Sequence, residues 1–340
     1  MEFQKITTIS EMDSLVNEWN HLLTKSVKNY PFLRHEYLRG WWQTLGGGEW
    51  KSGELNLITA RQDGQLVGIA PLFFTHNRES EPVLMLLGST EISDYLDFIV
   101  LPEVLPGFIS GLAAFLSGPI TPAWKILDLH NLQEETPTLS ELKCAAGKMG
   151  WVYQQERMQP SPYIVLPGDW EAYLSTIDKK QRHEIRRKMR KVEESGASVR
   201  WYFVEDESNL DHEMDVFFEL MAQDADKKAF LTDQMRKQMK LTAHSAFQNG
   251  WLQLAFLEVD QVKVAGYYNF DYADQIWVYN SGLNREYSEY SPGWVLLGNL
   301  LKWANNQKRQ VFDFMRGNED YKYRFGAVNR YVVKVRIERK

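Results

Sequence analysis

Two copies of one mixed α/β unit, with central sheets flanked by helices, are predicted from the order in which hydrophobic patterns recur along the 340 residues. Residues 55–74, LNLITARQDGQLVGIAPLFF, are two apolar-rich runs joined by Asp63-Gly64, a pair favoured in tight hairpin turns. Residues 252–271, LQLAFLEVDQVKVAGYYNFD, repeat this with the turn at Asp260-Gln261, and a glycine again follows valine at the start of the second strand. The same succession follows each hairpin: a strand (96–100; 275–280), a helix opened by Pro and Gly (Pro106-Gly107 into 109–116; Pro292-Gly293 into 295–305), and another strand (124–129; 310–315).

Between the copies, residues 156–170 hold three prolines and a glycine around one short apolar run, which suits a connection with a single strand inside it. The expected domains are therefore 1–160 and 161–340. The second opens with helical segments at 170–177, 179–195, 210–224 and 232–248, with Gly196 and Gly250 as stop signals. In 179–195, Ile185, Met189 and Val192 recur at helical spacing, so one face is expected to be buried and the others to carry Arg182, Arg186, Arg187 and Arg190.

Composition excludes several classes. With 44% hydrophobic and 25% charged residues the chain is an ordinary globular one. Its one cysteine, Cys144, rules out a disulfide framework and a thiolate zinc site, and a cytoplasmic setting is expected. The seven histidines never fall three or four residues apart, so no metal is expected. There is no P-loop, Gly-x-Ser-x-Gly or Gly-x-Gly-x-x-Gly motif. The first residues lack a signal-peptide pattern, and the longest apolar stretch, around 108–116, is too short to span a bilayer. The net charge of −6 is uneven: residues 1–160 have 12 Lys+Arg against 19 Asp+Glu, the remainder 27 against 26. Eight of those basic residues lie in 179–191, KKQRHEIRRKMRK. Without interleaved aromatics this is a poor DNA-reading element. It reads as a solvated face, as a binder of an anionic substrate, or as a contact for tRNA.

Residues 313–326, DFMRGNEDYKYRFG, leave the last of these strands with mixed charges and, past Met315, three aromatic rings where Gly, Ser and Asn would dominate a plain surface loop. A cleft is expected there. The tandem arrangement, with SEYSPGWVLLGNLLKWA at 288–304 followed by this segment, resembles the BioF2-like or CelD-like acetyltransferases of the GNAT fold, relatives of the FemAB peptidyltransferases. The likeness covers most of the chain and is strongest from about residue 250. Its Asp-x-x-x-Gly-x-x-x-Tyr-Lys pattern is met by Asp313, Gly317, Tyr321 and Lys322, its arginine-rich helix by Arg182, Arg186 and Arg187, and its Asp-Tyr-x-Asp pattern by Asp94, Tyr95 and Asp97.

The resemblance implies acyl transfer, with acetyl-CoA or another acyl-CoA as co-substrate, to an amine or hydroxyl of a sugar, amino-acid-derived or glycan-precursor acceptor in polysaccharide or cell-envelope biosynthesis. Transfer of an amino acid from tRNA to a cell-wall precursor is the second reading, and a binding module without catalysis the third. Lys322, Asp97 and Tyr279 are the candidate catalytic residues: Lys322 as a partly exposed cation near the reacting groups, Asp97 to orient the acceptor, Tyr279 as a phenolic donor or a packing ring. Arg182, Arg186, Asp94, Tyr95, Arg316, Tyr321 and Arg324 are candidates for substrate binding. The cofactor loop departs from the usual glycine-rich form. In 285–293, REYSEYSPG, one glycine and two glutamates leave only Ser291 as a helix cap and Gly293 for close approach to an anion.

Overall fold

The computed structural model describes residues 1–77 and 79–339. The chain divides into two compact units, one of residues 1–159 with 331–340 and the other of residues 160–330. The last ten residues thus group with the first unit, although they follow the second in sequence.

In the first unit, β1 (Glu2–Ile6), α1 (Ile9–Ser14), α2 (Val16–Leu23) and α3 (His35–Gly48) precede β2 (Glu54–Leu55) and the hairpin β3 (Leu57–Gln62) and β4 (Gln65–Ala70). Both turn residues take positive φ, Asp63 at 51° and Gly64 at 78°, as a two-residue hairpin turn requires. Then come β5 (Leu72–His76), β6 (Pro82–Leu86), the short β7 (Ile99–Val100), α4 (Leu105–Ser117), β8 (Ile126–Gln133) and α5 (Thr138–Met149). One sheet has the order β1-β3-β4-β7, and a second runs β2-β5-β6-β8, with β6 and β8 parallel. Residues 332–338 add an antiparallel strand beside β8, from Val332 opposite Gln133 to Glu338 opposite Ile126.

The chain passes between units within β9 (Val152–Val165). The second unit then holds α6 (Trp170–Thr176), α7 (Lys179–Glu193), β10 (Val199–Phe203), α8 (Leu210–Met221), α9 (Ala225–Phe230), α10 (Asp233–Gln248), β11 (Leu252–Val259), β12 (Val262–Tyr272), β13 (Gln275–Leu283), α11 (Pro292–Asn306), β14 (Val311–Asp313), α12 (Asp320–Arg324) and the start of β15 (Val328–Glu338). Strands β10, β11, β12 and β13 pair antiparallel in that order, and β14 joins β13 in parallel. Residues 163–165 of β9 close the far side of β14.

Helix α7 folds as its apolar stripe predicts. Ile185 and Val192 are buried, and Met189 packs on the same core. Gly298 of α11 makes room for it, since a β-carbon there would lie 2.9 Å from the Met189 sulfur. Asp178 caps the helix by accepting from the N–H groups of Lys180 and Gln181, and the cationic residues stay on the outer faces. The core beneath is built from β11, β12, α11 and the segment 312–327, including Ala265, Leu296, Phe312 and Phe325.

Candidate functional site

The second unit opens where β13 and β14 stop pairing. Three residue pairs join them, Gln275 with Val311, Ile276 with Phe312 and Trp277 with Asp313. Beyond that point β13 continues to Leu283, but the chain after Asp313 turns toward β9, with the Phe314 N–H donating to Pro162 O and the Gly317 N–H to Pro160 O. Two parallel strands that part in this way leave a wedge whose β13 edge no strand pairs, with the Ser281 N–H donating instead to Asn280 Oδ1 at 2.9 Å. At the mouth of the wedge β13 carries a bulge: Asn280 lies opposite Tyr268 and Val278 opposite Asn269, so Tyr279 is the extra residue. Its half-buried ring packs on Tyr268 and Phe270, 5.2 and 5.1 Å between centroids, so its packing role is plain.

Two lysines enter the wedge from opposite sides. From α12, Lys322 is only 3% exposed, and its ammonium donates to the carbonyls of Arg316 (3.0 Å), Gly317 (3.2 Å) and Met315 (3.4 Å) and meets Glu319 at 2.8 Å. This corrects the expectation of a partly exposed lysine: the ammonium is saturated by the turn that it ties down. The turn needs such a tie because Met315 and Gly317 hold φ of 55° and 113°, conformations that cost backbone energy for a non-glycine residue. A β-carbon at Gly317 would lie 2.6 Å from the Glu319 carboxylate, which would have to swing away to admit it. Burial alone would raise the Glu319 pKa, but the Lys322 ammonium outweighs it and holds the carboxyl below its usual range.

The second lysine, Lys227 of α9, is one that sequence reasoning missed. Its ammonium donates to the Ser281 carbonyl on the edge of β13 that faces the wedge, at 2.5 Å. Burial lowers its pKa, and the positive field of Lys322 adds to this against the opposing pull of Asp224 and Glu319, with a net fall below the ordinary lysine range. Tyr321, half-buried, packs edge-on against Phe314 at 5.9 Å, and its phenol is pushed well above the usual value by burial, with Tyr267 and Glu319 adding to the shift. Asp313 is wholly buried, paired with Arg330 and accepting from the Met315 N–H at 2.7 Å, so it anchors the same turn.

The cofactor residues lie at the start of α11. Ser291 has a left-handed backbone (φ 49°) and its side chain makes no cap hydrogen bond, which corrects the capping role expected for its hydroxyl. The N–H groups of Trp294 and Val295 return to the Ser291 carbonyl, and Pro292 has none, so Gly293 is the first-turn donor outside the helix's own ladder.

Of the arginines, Arg182 donates to the Leu174 carbonyl at 3.4 Å and Arg186 pairs with Glu171. Arg316 contributes its carbonyl to Lys322, and Arg324 is exposed with a long 3.9 Å pair to Asp320. Beside α7 lies an open groove of about 940 Å³, lined by His183, Arg186, Arg187, Arg190 and Lys191 and, across from them, Glu289 and Tyr290.

The three candidates in the first unit are placed differently. Tyr95 is buried against Tyr30, 5.4 Å between ring centroids, and Asp94 is half-buried. Asp97 is 0% exposed, accepting from the hydroxyls of Thr136 (2.6 Å) and Thr138 (2.7 Å) and from the Phe98 N–H (2.8 Å). A carboxyl so enclosed cannot meet an acceptor, so the expected orienting role is corrected to that of an interior anchor. Burial raises its pKa over the opposing hydrogen bonds, so the folded chain holds this proton more tightly than the unfolded one, and the stability Asp97 contributes declines as pH rises through that raised value. Asp97→Ala would leave two hydroxyls and an amide without an acceptor. A loss of about 2–5 kcal/mol in denaturant unfolding is expected, and an unchanged midpoint would refute the anchor role.

Among the described residues no group of three or more His, Cys, Asp or Glu is placed to hold a metal ion, and no helix is long and apolar enough to cross a membrane.

Comparison with known proteins bears on the fold. A family model described as an acetyltransferase (GNAT) domain matches residues 179–323. Among solved structures, FemX superposes with a TM-score of 0.68 at 10% identity, covering 98% of this chain and 97% of that one. L-PGS from Bacillus licheniformis gives 0.57 at 12% identity over 100% and 94% of the two chains. A tandem GNAT protein from the clavulanic acid biosynthesis pathway gives 0.50 at 10% identity over 98% of each. At these identities the likeness is one of fold. No curated protein matches the sequence.

Proposed function

We propose that this FemAB-like GNAT acyltransferase transfers an acyl group from acyl-CoA, acetyl-CoA first among donors, to an amine of a small acceptor, within the wedge between β13 and β14. The observation that carries the reading is the wedge itself, a strand edge that no strand pairs, with the buried Lys227 ammonium against it. Such a site needs no covalent enzyme intermediate. The acceptor amine attacks the thioester carbonyl, its C–N bond forms as the C–S bond breaks, and coenzyme A leaves as its thiol while the protein holds the reactants together.

The amine proton needs an acceptor with a pKa near the working pH. Glu319 is a poor choice, because Lys322 holds its carboxyl below the usual range. Lys227, lowered from the lysine range, is the better one, and we assign it this role. Lys322 then acts as a positioning residue, fixing the 315–317 turn that forms the other wall.

A second reading, transfer of an aminoacyl group from tRNA to a cell-wall precursor, is favoured by the whole-chain fold likeness to FemX and by the basic face of α7. Thermal stabilisation separates the two. Acetyl-CoA at a hundred times its Kd adds about 2.7 kcal/mol, a readable shift in melting. No shift at millimolar acetyl-CoA, together with a shift on adding aminoacyl-tRNA, would turn the assignment to the second reading.

A further inference from the structure

A smaller cavity lies wholly within the first unit, where the chain passes from one sheet to the other. Strand β2 ends at Leu55 and pairs with β5, while β3 begins at Leu57 and pairs with β1, so Asn56 is the single residue between the two sheets. Its N–H still reaches the Leu72 carbonyl at 3.1 Å, and beside it is an open pocket of about 260 Å³ whose lining includes Lys5, Glu54, Asn56, Phe74 and Pro122. Three of these residues have polar groups left to use. Asn56 is 1% exposed, yet neither its Oδ1 nor its Nδ2 has a hydrogen-bond partner among the described residues. Burying an amide in that state costs stability, and folded chains rarely do so. Lys5 uses one of its three N–H donors on the Ile120 carbonyl at 3.2 Å. Glu54, opposite Phe74 across the β2–β5 pair, is exposed and makes no ion pair among the described residues. An ammonium and a carboxylate thus line one small cavity without pairing to each other.

We infer that this pocket binds a free α-amino acid as its zwitterion, with Lys5 on the carboxylate, Glu54 on the ammonium and the Asn56 amide serving both. A simple anion would meet the Glu54 carboxylate and a simple cation the Lys5 ammonium, whereas a ligand carrying both charges on one carbon complements the pair. The amide has a donor end for the carboxylate and an acceptor end for the ammonium. Phe74 and Pro122, both half-buried, give the side chain an apolar wall. The volume lies below the range of about 300–1,000 Å³ usual for drug-sized ligands, so the ligand is small. A peptide holds its two terminal charges apart, which leaves the free amino acid as the species that fits. All these residues belong to the first unit and those of the wedge to the second, so the pocket stands whether or not the second unit transfers an acyl group.

The test is calorimetric titration of the full chain with glycine, L-leucine and L-phenylalanine. The tightest binder is then compared with its own primary amide, which lacks the carboxylate, and with its deaminated acid, which lacks the ammonium. Loss of either charge should weaken binding about ten- to a hundredfold, the worth of a charged hydrogen bond. Glu54→Gln, at an exposed position, should weaken the amino acid by a similar factor and leave the deaminated acid unchanged, because that ligand has no ammonium to lose. Asn56→Leu, close in shape, should weaken the amino acid at least tenfold and raise the Tm of the ligand-free chain, since it removes a buried amide that has no partner. Failure of all three amino acids to bind at millimolar concentration overturns the site. Equal affinity for the deaminated acid does the same, and so does amino-acid binding that survives both substitutions, which would lie elsewhere on the chain. A fall in Tm for Asn56→Leu would make the amide a structural group and overturn the site as well.

Discussion

Replacing Lys322 with methionine is expected to destabilise the second unit by roughly 3 kcal/mol, the cost of breaking a buried charged contact. Methionine fills the space of the aliphatic stem, so the loss isolates the ammonium. That group holds the carbonyls of Met315, Arg316 and Gly317, and nothing in methionine can donate to them. Two of the three residues sit at positive φ, so the turn has little stability of its own. For a unit of this size the loss corresponds to a fall in Tm of roughly 6–12 °C. Turnover should fall with it, because the turn is one wall of the wedge. Glu319 gives the pH sign. Its lowered pKa makes its contribution full above the ordinary carboxylate range and lost as pH falls through the lowered value, so the variant should show a shallower decline in Tm on acidification than the wild type. Melting curves from neutral to acidic pH check both points, and a variant melting with the wild type would show that the ammonium is dispensable to the turn.

The parts legible in the sequence are those set by neighbours in the chain. Asp63-Gly64 and Asp260-Gln261 make turns because their own backbones reach positive φ, and α7 buries Ile185 and Val192 because helical spacing puts them on one side. Residues 313–326 could be marked as a site because charge and aromatics crowd into one short stretch. What could not be read is burial set by distant partners. Asp97 reads as a surface acid until Thr136 and Thr138 arrive some forty residues later to accept its company in the core. Lys322 reads as an exposed helix lysine, and its saturation depends on three carbonyls converging, which only the left-handed turn before it brings about. Lys227 carries no local signal at all: α9 is six residues long, its adjacent lysines suggest solvent, and Ser281 lies 54 residues on.

Lys227 is expected to behave in the opposite way, with a large loss of rate and little loss of stability. Lys227→Met removes a cation whose burial already disfavours its charged form, so the hydrogen bond lost to Ser281 is offset by the desolvation cost recovered. The sign follows from its lowered pKa. Between the folded and the ordinary lysine values the unfolded chain binds more protons, so wild-type stability attributable to this group rises with pH, and methionine should remove that rise. Melting near neutral pH should therefore change by less than about 1 kcal/mol. As proton acceptor for the attacking amine, however, the lysine contributes about 10²–10⁴ in kcat, and its removal should cost that much. The rate should also lose its pH dependence. Wild-type kcat rises as Lys227 deprotonates, with a midpoint below the ordinary lysine range, while Lys227→Met should be flat across the same interval. Lys227→Arg keeps the charge and the contact with Ser281 but cannot give up its proton, so it should remain folded and slow. Full turnover in Lys227→Arg would assign the residue to fixing the edge of β13, because only an acid–base role distinguishes the two cations.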